Sequence, residues 1–394
     1  MNRRTRHLLL MSVSLSLALV VSDRSFTRVQ ASVQCSELTS GLNVPLGVTL
    51  SNQSNLIVGE SGTGAALTGR LSIVDLDGNR RTLLNGLPSA LNDVGDPSGP
   101  AGVFMRGRTL YLAIGIGDSI RPGGPGVAFA NPTPSSPLFS SILAIHFSAG
   151  VEKQTGAFTL TSADHLALAS GEKVTLSNGG GKITIELIVN FPNFTPNPAP
   201  PVPGNVRGSN PFDLVVVGNQ IYVTDGGQNS VREVDIPTGS FSTLVTFPNI
   251  GNPFFPGLGG PFVEAVPTGI AYADGRLLVT LFRGFPFPPG FSVVEQVDPV
   301  TGSHGTLISG RTAAIDVLQT KDGSEDDHLV LQFASGPVLS GAGLLLQFDN
   351  PGSAPTTIAG CLTAPSSMAL DEKSGTVYVT ELTGRIVAIS IPGS

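Results

Sequence analysis

Five carboxylates at recurring positions are the residues whose spacing could support chemistry. Asp213 and Asp316 stand where matching stretches of the chain carry Gly or Ser, and Glu60, Asp225 and Glu381 each end a short apolar run. Carboxylates that converge could bind Ca²⁺, which takes six to eight oxygen ligands. A carboxylate of this second group could instead accept hydrogen bonds from the turn that follows it. The choice depends on the elements that position these side chains.

Those elements are copies of one repeated unit. A Pro, a small or acidic residue and an apolar run recur, once without the Pro, at residues 44–50, 99–105, 210–216, 266–272, 313–319 and 364–370. Further β-rich runs and turns follow each copy, and no helical periodicity is sustained. The last copy lacks a fourth run, which residues 33–41 can supply. The sequence therefore predicts an all-β, six-bladed β-propeller closed by its N-terminal strand.

The spacing between the second and third copies is about twice the others, which leaves a seven-bladed propeller as an alternative. We favour an insertion near residues 150–181, because "KVTLSNGGGKITI" is typical of a hairpin with a Gly-rich turn. Residues 33–394 are accordingly expected to form a single propeller domain.

The N-terminal segment has the pattern of a signal peptide. "NRRTRH" is basic, residues 8–21 form an apolar run, and "VQA" ending at Ala31 suits cleavage. Residues 1–31 therefore predict export to the periplasm or the exterior of a bacterium. The sequence around Arg3 and Arg4 matches a twin-arginine motif poorly, which favours the general secretory route over twin-arginine export. A retained membrane anchor is the alternative. No other segment is apolar and long enough to cross a membrane, so the processed chain is not expected to be an integral membrane protein.

Composition and charge exclude several classes of function. The chain is 40% hydrophobic with a net charge of −7, and the balance becomes −11 after residues 1–31 are removed. Without a basic stripe, nucleic acid is not an expected partner. None of the four remaining His residues lies at the aligned channel positions of the repeat, which argues against a Ser-His-Asp hydrolase. The sequence favours a non-enzymatic protein but leaves catalysis open.

Long loops are predicted on one face only, where the loops between second and third strands meet the links between blades. These loops are rich in Phe, Pro and Gly. The Phe rings could pack on one another, or they could bind a hydrophobic small molecule or a protein partner. We place the carboxylates on the same face. The predicted ligand-binding residues are Asp213, Asp316, Phe282, Phe285, Phe287 and Phe291.

Three stretches carry a resemblance to a known family: "NPFD…IYVTDGGQNS", "VPTGIAY" followed by "RGFPFPPGF", and "APSSMALDEKSGTVYVTE". They resemble the ScyD/ScyE family of secreted bacterial proteins, which is related to NHL-repeat and SMP-30-like six-bladed propellers. The resemblance implies a secreted binding or scaffold protein, and it offers no established catalytic residues that can be assigned to this chain. SMP-30-like lactonases hold a divalent metal at the channel, so the alternative is a Ca²⁺-dependent lactonase-like hydrolase. Its metal ligands would be Asp213, Asp316 and Glu60.

The two cysteines, Cys35 and Cys361, are predicted to be free thiols. The repeat assigns them to opposite faces of the propeller. A strand of six residues spans roughly 20 Å, whereas the Cα atoms of a disulfide lie within about 7 Å of each other.

Overall fold

The computed structural model describes residues 35–322 and 325–391, and the side chains of 321, 322, 325 and 326 are not described. The predicted signal peptide lies outside these residues. The inner strands, which surround the central channel, are β2 (Pro45–Leu50), β8 (Pro100–Arg106), β18 (Pro211–Val217), β24 (Pro267–Ala273), β28 (Ala314–Asp322) and β32 (Pro365–Asp371). The second strands are β3 (Asn55–Glu60), β9 (Thr109–Ile114), β19 (Gln220–Asp225), β25 (Arg276–Leu281), β29 (Glu325–Gln332) and β33 (Thr376–Glu381).

The third strands are β4 (Gly69–Asp75), β12 (Ser141–Phe147), β20 (Ser230–Asp235), β26 (Ser292–Val297), β30 (Gly343–Phe348) and β34 (Arg385–Ser390). The outer strands are β5 (Arg80–Leu87), β15 (Lys182–Asn190), β21 (Phe241–Thr246), β27 (His304–Arg311), β31 (Thr356–Leu362) and, in blade 6, β1 (Ser36–Thr39). Each inner strand contacts the inner strands of both neighbouring blades, so the ring is closed. The prediction of a six-bladed, all-β propeller is confirmed.

The N-terminal strand completes the last blade, as predicted. β1 pairs antiparallel with β34, and Ser36 lies opposite Ala388. The second strands are almost wholly buried, because neighbouring blades cover both faces of each sheet. Their sequences are therefore continuous apolar runs rather than alternating ones.

The segment between β12 and β15, the third and outer strands of blade 2, is an insertion that packs against blade 1 instead of forming another blade. It contains a 3₁₀ turn (Val151–Lys153), β13 (Phe158–Thr159), α1 (Ser162–Ala169) and β14 (Val174–Ser177). β14 forms a hairpin with β15, and β13 pairs with β5 of blade 1. The carboxylate of Glu152 accepts hydrogen bonds from Ser51 and Asn55 in blade 1.

Among the described residues, no helix is apolar and long enough to span a membrane.

In the described part of the chain, four two-stranded ribbons lie on the long-loop face. They are β6 (Ala90–Leu91) with β7 (Pro97–Ser98), β10 (Ile120–Gly124) with β11 (Val127–Ala130), β16 (Phe194–Pro196) with β17 (Val206–Gly208), and β22 (Ile250–Gly251) with β23 (Phe262–Val263). A further 3₁₀ turn, Pro337–Leu339, lies between β29 and β30. The long loops predicted from the sequence are therefore partly ordered by strand pairing.

The prediction of two free thiols is wrong, because Cys35 and Cys361 form a disulfide with 6.2 Å between their Cα atoms. Cys35 directly precedes β1, and Cys361 lies in β31, so the bond joins the outer edges of blades 6 and 5. Strands rotate by roughly 20–25° from one to the next in a sheet. The outer strands are consequently steeply inclined to the channel, and opposite ends of two such strands can approach each other.

Candidate functional site

The central feature of the long-loop face is a cavity of about 790 Å³, which we call the upper cavity. Its floor contains Phe212, Thr268 and Ile315, which lie near the beginnings of inner strands β18, β24 and β28. Its walls come from the ribbons and from the loops that follow second strands. A concave site therefore forms where the rigid ring meets its longest loops.

Hydrogen bonds join two of the ribbons, β10–β11 and β16–β17, at the wall of the upper cavity. Asn205 is buried, and its Oδ1 accepts a hydrogen bond from the backbone N–H of Ala128 in β11 at 3.0 Å. Its Nδ2 donates to the carbonyl of Pro200 at 3.2 Å. Gly208 in β17 permits the close packing, because a Cβ there would lie 2.1 Å from the side chain of Ile116. The wall is thus set by specific contacts.

An ion pair crosses the upper cavity. Arg207 follows Val206 in β17, and its Nη2 lies 3.0 Å from Oε1 of Glu264, just after β23. The Nε of Arg207 also donates to the carbonyl of Gly227. Sequence reasoning missed both charged residues, although each is the only charged residue of its loop, 192–209 or 248–265. A single charged residue in an otherwise uncharged loop was the sequence signal that could have identified each of them.

Asp93 is the third charged residue that lines the upper cavity. It lies in the turn between β6 and β7, where Oδ1 of Asn92 accepts from the N–H groups of Val94 at 3.1 Å and Asp96 at 2.9 Å. Partial burial raises the pKa of Asp93, and only its own backbone N–H opposes this shift. Within the described ranges, no Lys, Arg or His side chain pairs with it.

Asp213 and Asp316 line a different cavity, of about 410 Å³, on the side of the short turns. The residue before each Asp belongs to the floor of the upper cavity, so the structure places both carboxyls beneath that floor rather than at the mouth of the long-loop face. Oδ1 of each accepts from the N–H of the next residue, at 2.8 Å in both cases. Their other oxygens reach the neighbouring blade.

Burial raises the pKa of Asp213 to about 7, although hydrogen bonds from the N–H groups of Ile270 and Leu214 oppose the shift. Burial also holds the pKa of Asp316 well above its usual range, and the nearby charge of Asp213 adds to the effect. Two carboxyl groups that lie near each other in one channel cannot both ionise at low cost.

Glu60 is not brought together with these two aspartates. It is fully buried in blade 1, where it pairs with Arg70 at 2.7 Å and accepts a hydrogen bond from the N–H of Asn43. Over residues 35–322 and 325–391, no three His, Cys, Asp or Glu side chains group in a way that could hold a metal ion. The predicted set Asp213, Asp316 and Glu60 therefore does not meet at one point.

The carboxylates that end second strands share one structural arrangement. Asp225 pairs with Arg232 at 2.8 Å and accepts from the N–H of Asn210, at the link into its blade. Glu381 likewise pairs with Arg385 at 2.6 Å and accepts from the N–H of the link residue Thr363. Each carboxylate thus fixes the start of its own blade. The partner arginines of the third strands were not foreseen from the sequence.

The predicted Phe residues divide between the upper cavity and the exterior. Phe282 lines the cavity and packs edge-to-face against Phe287 and Phe333, with ring centroids 5.9 and 5.8 Å away. Phe287 is partly buried and contacts Phe285 in the same way. Phe285 and Phe291 are 52% and 42% exposed. Only Phe282 of this group belongs to the cavity lining.

Comparison with known proteins supports the fold of the chain, but it assigns neither a family nor a function. No protein-family model matches the chain, and no curated protein matches it. A candidate oxidoreductase (glucose dehydrogenase) of Thermus thermophilus has a similar structure, with a TM-score of 0.50 and 14% identity over 91% of this chain and 99% of its own. The PQQ-bound aldose sugar dehydrogenase of Streptomyces coelicolor gives a TM-score of 0.50 and 14% identity, over 91% and 98% of the two chains. The chain is a six-bladed β-propeller.

Proposed function

We propose that this protein is an exported binding protein of the ScyD/ScyE type, which binds a small, mainly apolar molecule in the upper cavity. The observation that carries the proposal is the cavity itself. Its volume of about 790 Å³ falls within the usual range of ligand sites, and most of its lining is apolar with a few polar groups. Export rests on the signal-peptide pattern of residues 1–31.

A concave site favours a small ligand over a flat protein partner. The rings that stand outside the cavity, Phe285 and Phe291, provide a smaller apolar surface for a second contact. A Ca²⁺-dependent hydrolase would need Asp213, Asp316 and Glu60 in one place, and no observation on the described chain favours it over binding.

The cofactor of the Streptomyces sugar dehydrogenase does not suit the upper cavity. PQQ carries three carboxylates, and such a ligand is usually held by several cationic side chains. Among the described residues that line this cavity, Arg207 is the only Lys or Arg, and Glu264 already pairs with it. Asp93 adds a further negative charge. The lining of the upper cavity therefore does not fit PQQ.

Binding of the neutral apolar dye Nile red tests the proposal. Val127 of β11 lines the upper cavity, and Val127→Trp places an indole within it. We expect the variant to bind the dye about tenfold more weakly, because the cavity loses much of its free volume. Val300→Trp is the matched control, since Val300 is 85% exposed on a turn outside the cavity.

Dye titrations of Phe285→Ser locate any additional binding to the exterior rings. If Val127→Trp binds Nile red as the wild type does while Phe285→Ser does not, the exposed Phe surface is the binding site and the proposal fails. Thermal unfolding of each variant confirms that the propeller remains folded.

A further inference from the structure

The charges of the upper cavity are unbalanced. Of its three charged side chains, Arg207 and Glu264 satisfy each other across 3.0 Å. Asp93 remains, and the described residues offer it no cationic partner. An anionic group in an apolar recess is stabilised by a positive charge beside it, because the free energy of its lost hydration is not otherwise compensated.

Asp93 is presented by a rigid turn rather than by a loose loop. Asn92 closes the turn from within by accepting from the N–H groups of Val94 and Asp96, and the N–H of Asn92 itself donates to the carbonyl of Asp96 at 2.9 Å. Such side-chain bonds fix a turn locally. The backbone that carries Asp93 is therefore held at the cavity before any ligand arrives.

The rest of the lining suits the body of an organic cation. Phe212 and Phe282 provide aromatic surface, which interacts favourably both with apolar groups and with ammonium ions. The chain as a whole is acidic, with a net charge of −7, so its field attracts cations and repels anions.

From this geometry we infer that the upper cavity selects an amphipathic amine, and that Asp93 recognises the ammonium group. The inference rests on the proposed binding function and specifies the class of its ligand. The ammonium group donates hydrogen bonds to the Asp93 carboxylate, while the apolar body occupies the recess above Phe212 and Ile315. Partial burial raises the pKa of Asp93, which agrees with a carboxyl group that would gain from a cation beside it.

Three probes with one apolar body and different charges test the inference: naphthylethylamine, naphthylethanol and naphthylacetate. The chain contains no Trp, so naphthalene fluorescence anisotropy can be followed against little protein emission. We expect the amine to bind the wild type about tenfold more tightly than the alcohol, as for a charge-assisted hydrogen bond, and the acetate to bind most weakly.

Asp93→Asn should reduce the preference for the amine to about twofold while leaving the alcohol's affinity unchanged. Asp93→Glu, which keeps the charge, should retain most of the preference. Asp96→Asn is the control, because it removes the same charge from an exposed position of the same turn. Asp93→Ser provides a second neutral variant should Asp93→Asn prove unstable by thermal unfolding.

The outcomes separate the two claims. Equal binding of amine and alcohol to the wild type, or an unchanged preference in Asp93→Asn, overturns the role of Asp93 but leaves the apolar cavity as a binding site. If none of the three probes binds the wild type, and Nile red does not bind either, the proposed function fails together with the inference.

Discussion

The carboxyl group of Asp213, in the inner strand of blade 3, accepts a hydrogen bond from the backbone N–H of Ile270 in blade 4, with 3.1 Å between Oδ2 and N. Asp316 makes the same connection to Met368 between blades 5 and 6, at 2.8 Å. Small residues around the ring leave room for these side chains. A Cβ at Gly269, for example, would lie 2.5 Å from Oδ1 of Asp316. The channel aspartates therefore connect neighbouring blades.

The stability of the protein should fall as the pH rises from about 4 to about 7. Since burial raises the pKa of Asp213 from 3.8 to about 7, the folded state retains a proton that the unfolded chain has released. The free energy of unfolding then decreases by up to about 1.4 kcal/mol per pH unit for this group. Asp213→Asn should flatten the dependence.

Denaturant midpoints at pH 5 and pH 8 measure this effect. At pH 5 Asp213→Asn should be less stable than the wild type by about 1–3 kcal/mol, because one carboxyl acceptor becomes a donor. The difference should shrink at pH 8. Asp77→Asn, on an exposed turn, should keep the wild-type slope. An equally steep slope in Asp213→Asn would show that other groups cause the dependence.

Replacement of Arg232 by Met should destabilise the protein by about 3–5 kcal/mol, because it leaves the fully buried carboxylate of Asp225 without its cation. Arg385→Met is the comparison, since the side chain of Arg385 is 36% exposed and water can replace part of its contact with Glu381. Urea unfolding should therefore rank Arg232→Met below Arg385→Met. The reverse order would contradict the assigned burial of the two pairs.

The intact protein should contain the Cys35–Cys361 disulfide. A mass measurement without reductant should give a value lower by two hydrogens than the same measurement after reduction. Cys361→Ser should lower the free energy of unfolding by about 2–5 kcal/mol, because the unfolded chain gains freedom. Reductant should destabilise the wild type but not this variant. Alkylation of both thiols in the native, unreduced protein would refute the bond.

Calcium at millimolar concentration should leave the thermal midpoint unchanged within about 1 °C, and EDTA should do the same. The reason is that Asp213 and Asp316 already accept backbone hydrogen bonds, and Glu60 is paired elsewhere with Arg70. A ligand that binds only the folded state raises the midpoint. A clear rise with Ca²⁺ that Asp316→Asn abolishes would support the hydrolase alternative.

The sequence predicted the architecture because the repeat is periodic and the interior is apolar. Each copy of the unit begins with a short line such as "NPFDLVV" and continues into a buried second strand, so blade number and closure can be counted. The position of Asp213 and Asp316 on inner strands follows from the same alignment. The alignment did not predict that their carboxyl groups lie beneath the floor of the upper cavity. Successive residues of these strands, such as Phe212 and Asp213, line different cavities.

The site was less accessible to sequence reasoning because it is built from parts that do not repeat. Arg207 and Glu264 meet across ribbons that no alignment of blades contains, and Asp93 owes its place to a turn in the link between blades 1 and 2. The disulfide was missed for a related reason. Strand order was read correctly, but the inclination of the outer strands accumulates from sheet twist and has no signature in residue types.

The bond between Cys35 and Cys361 spans 326 positions of the chain and thus turns most of the propeller into one covalent loop. A protease that cuts any single exposed turn inside this loop releases no fragment. The severed ends remain attached through the loop, and strand pairing within each blade keeps them in register. A first proteolytic cut would therefore be survivable, and only a second cut could free a piece of the ring.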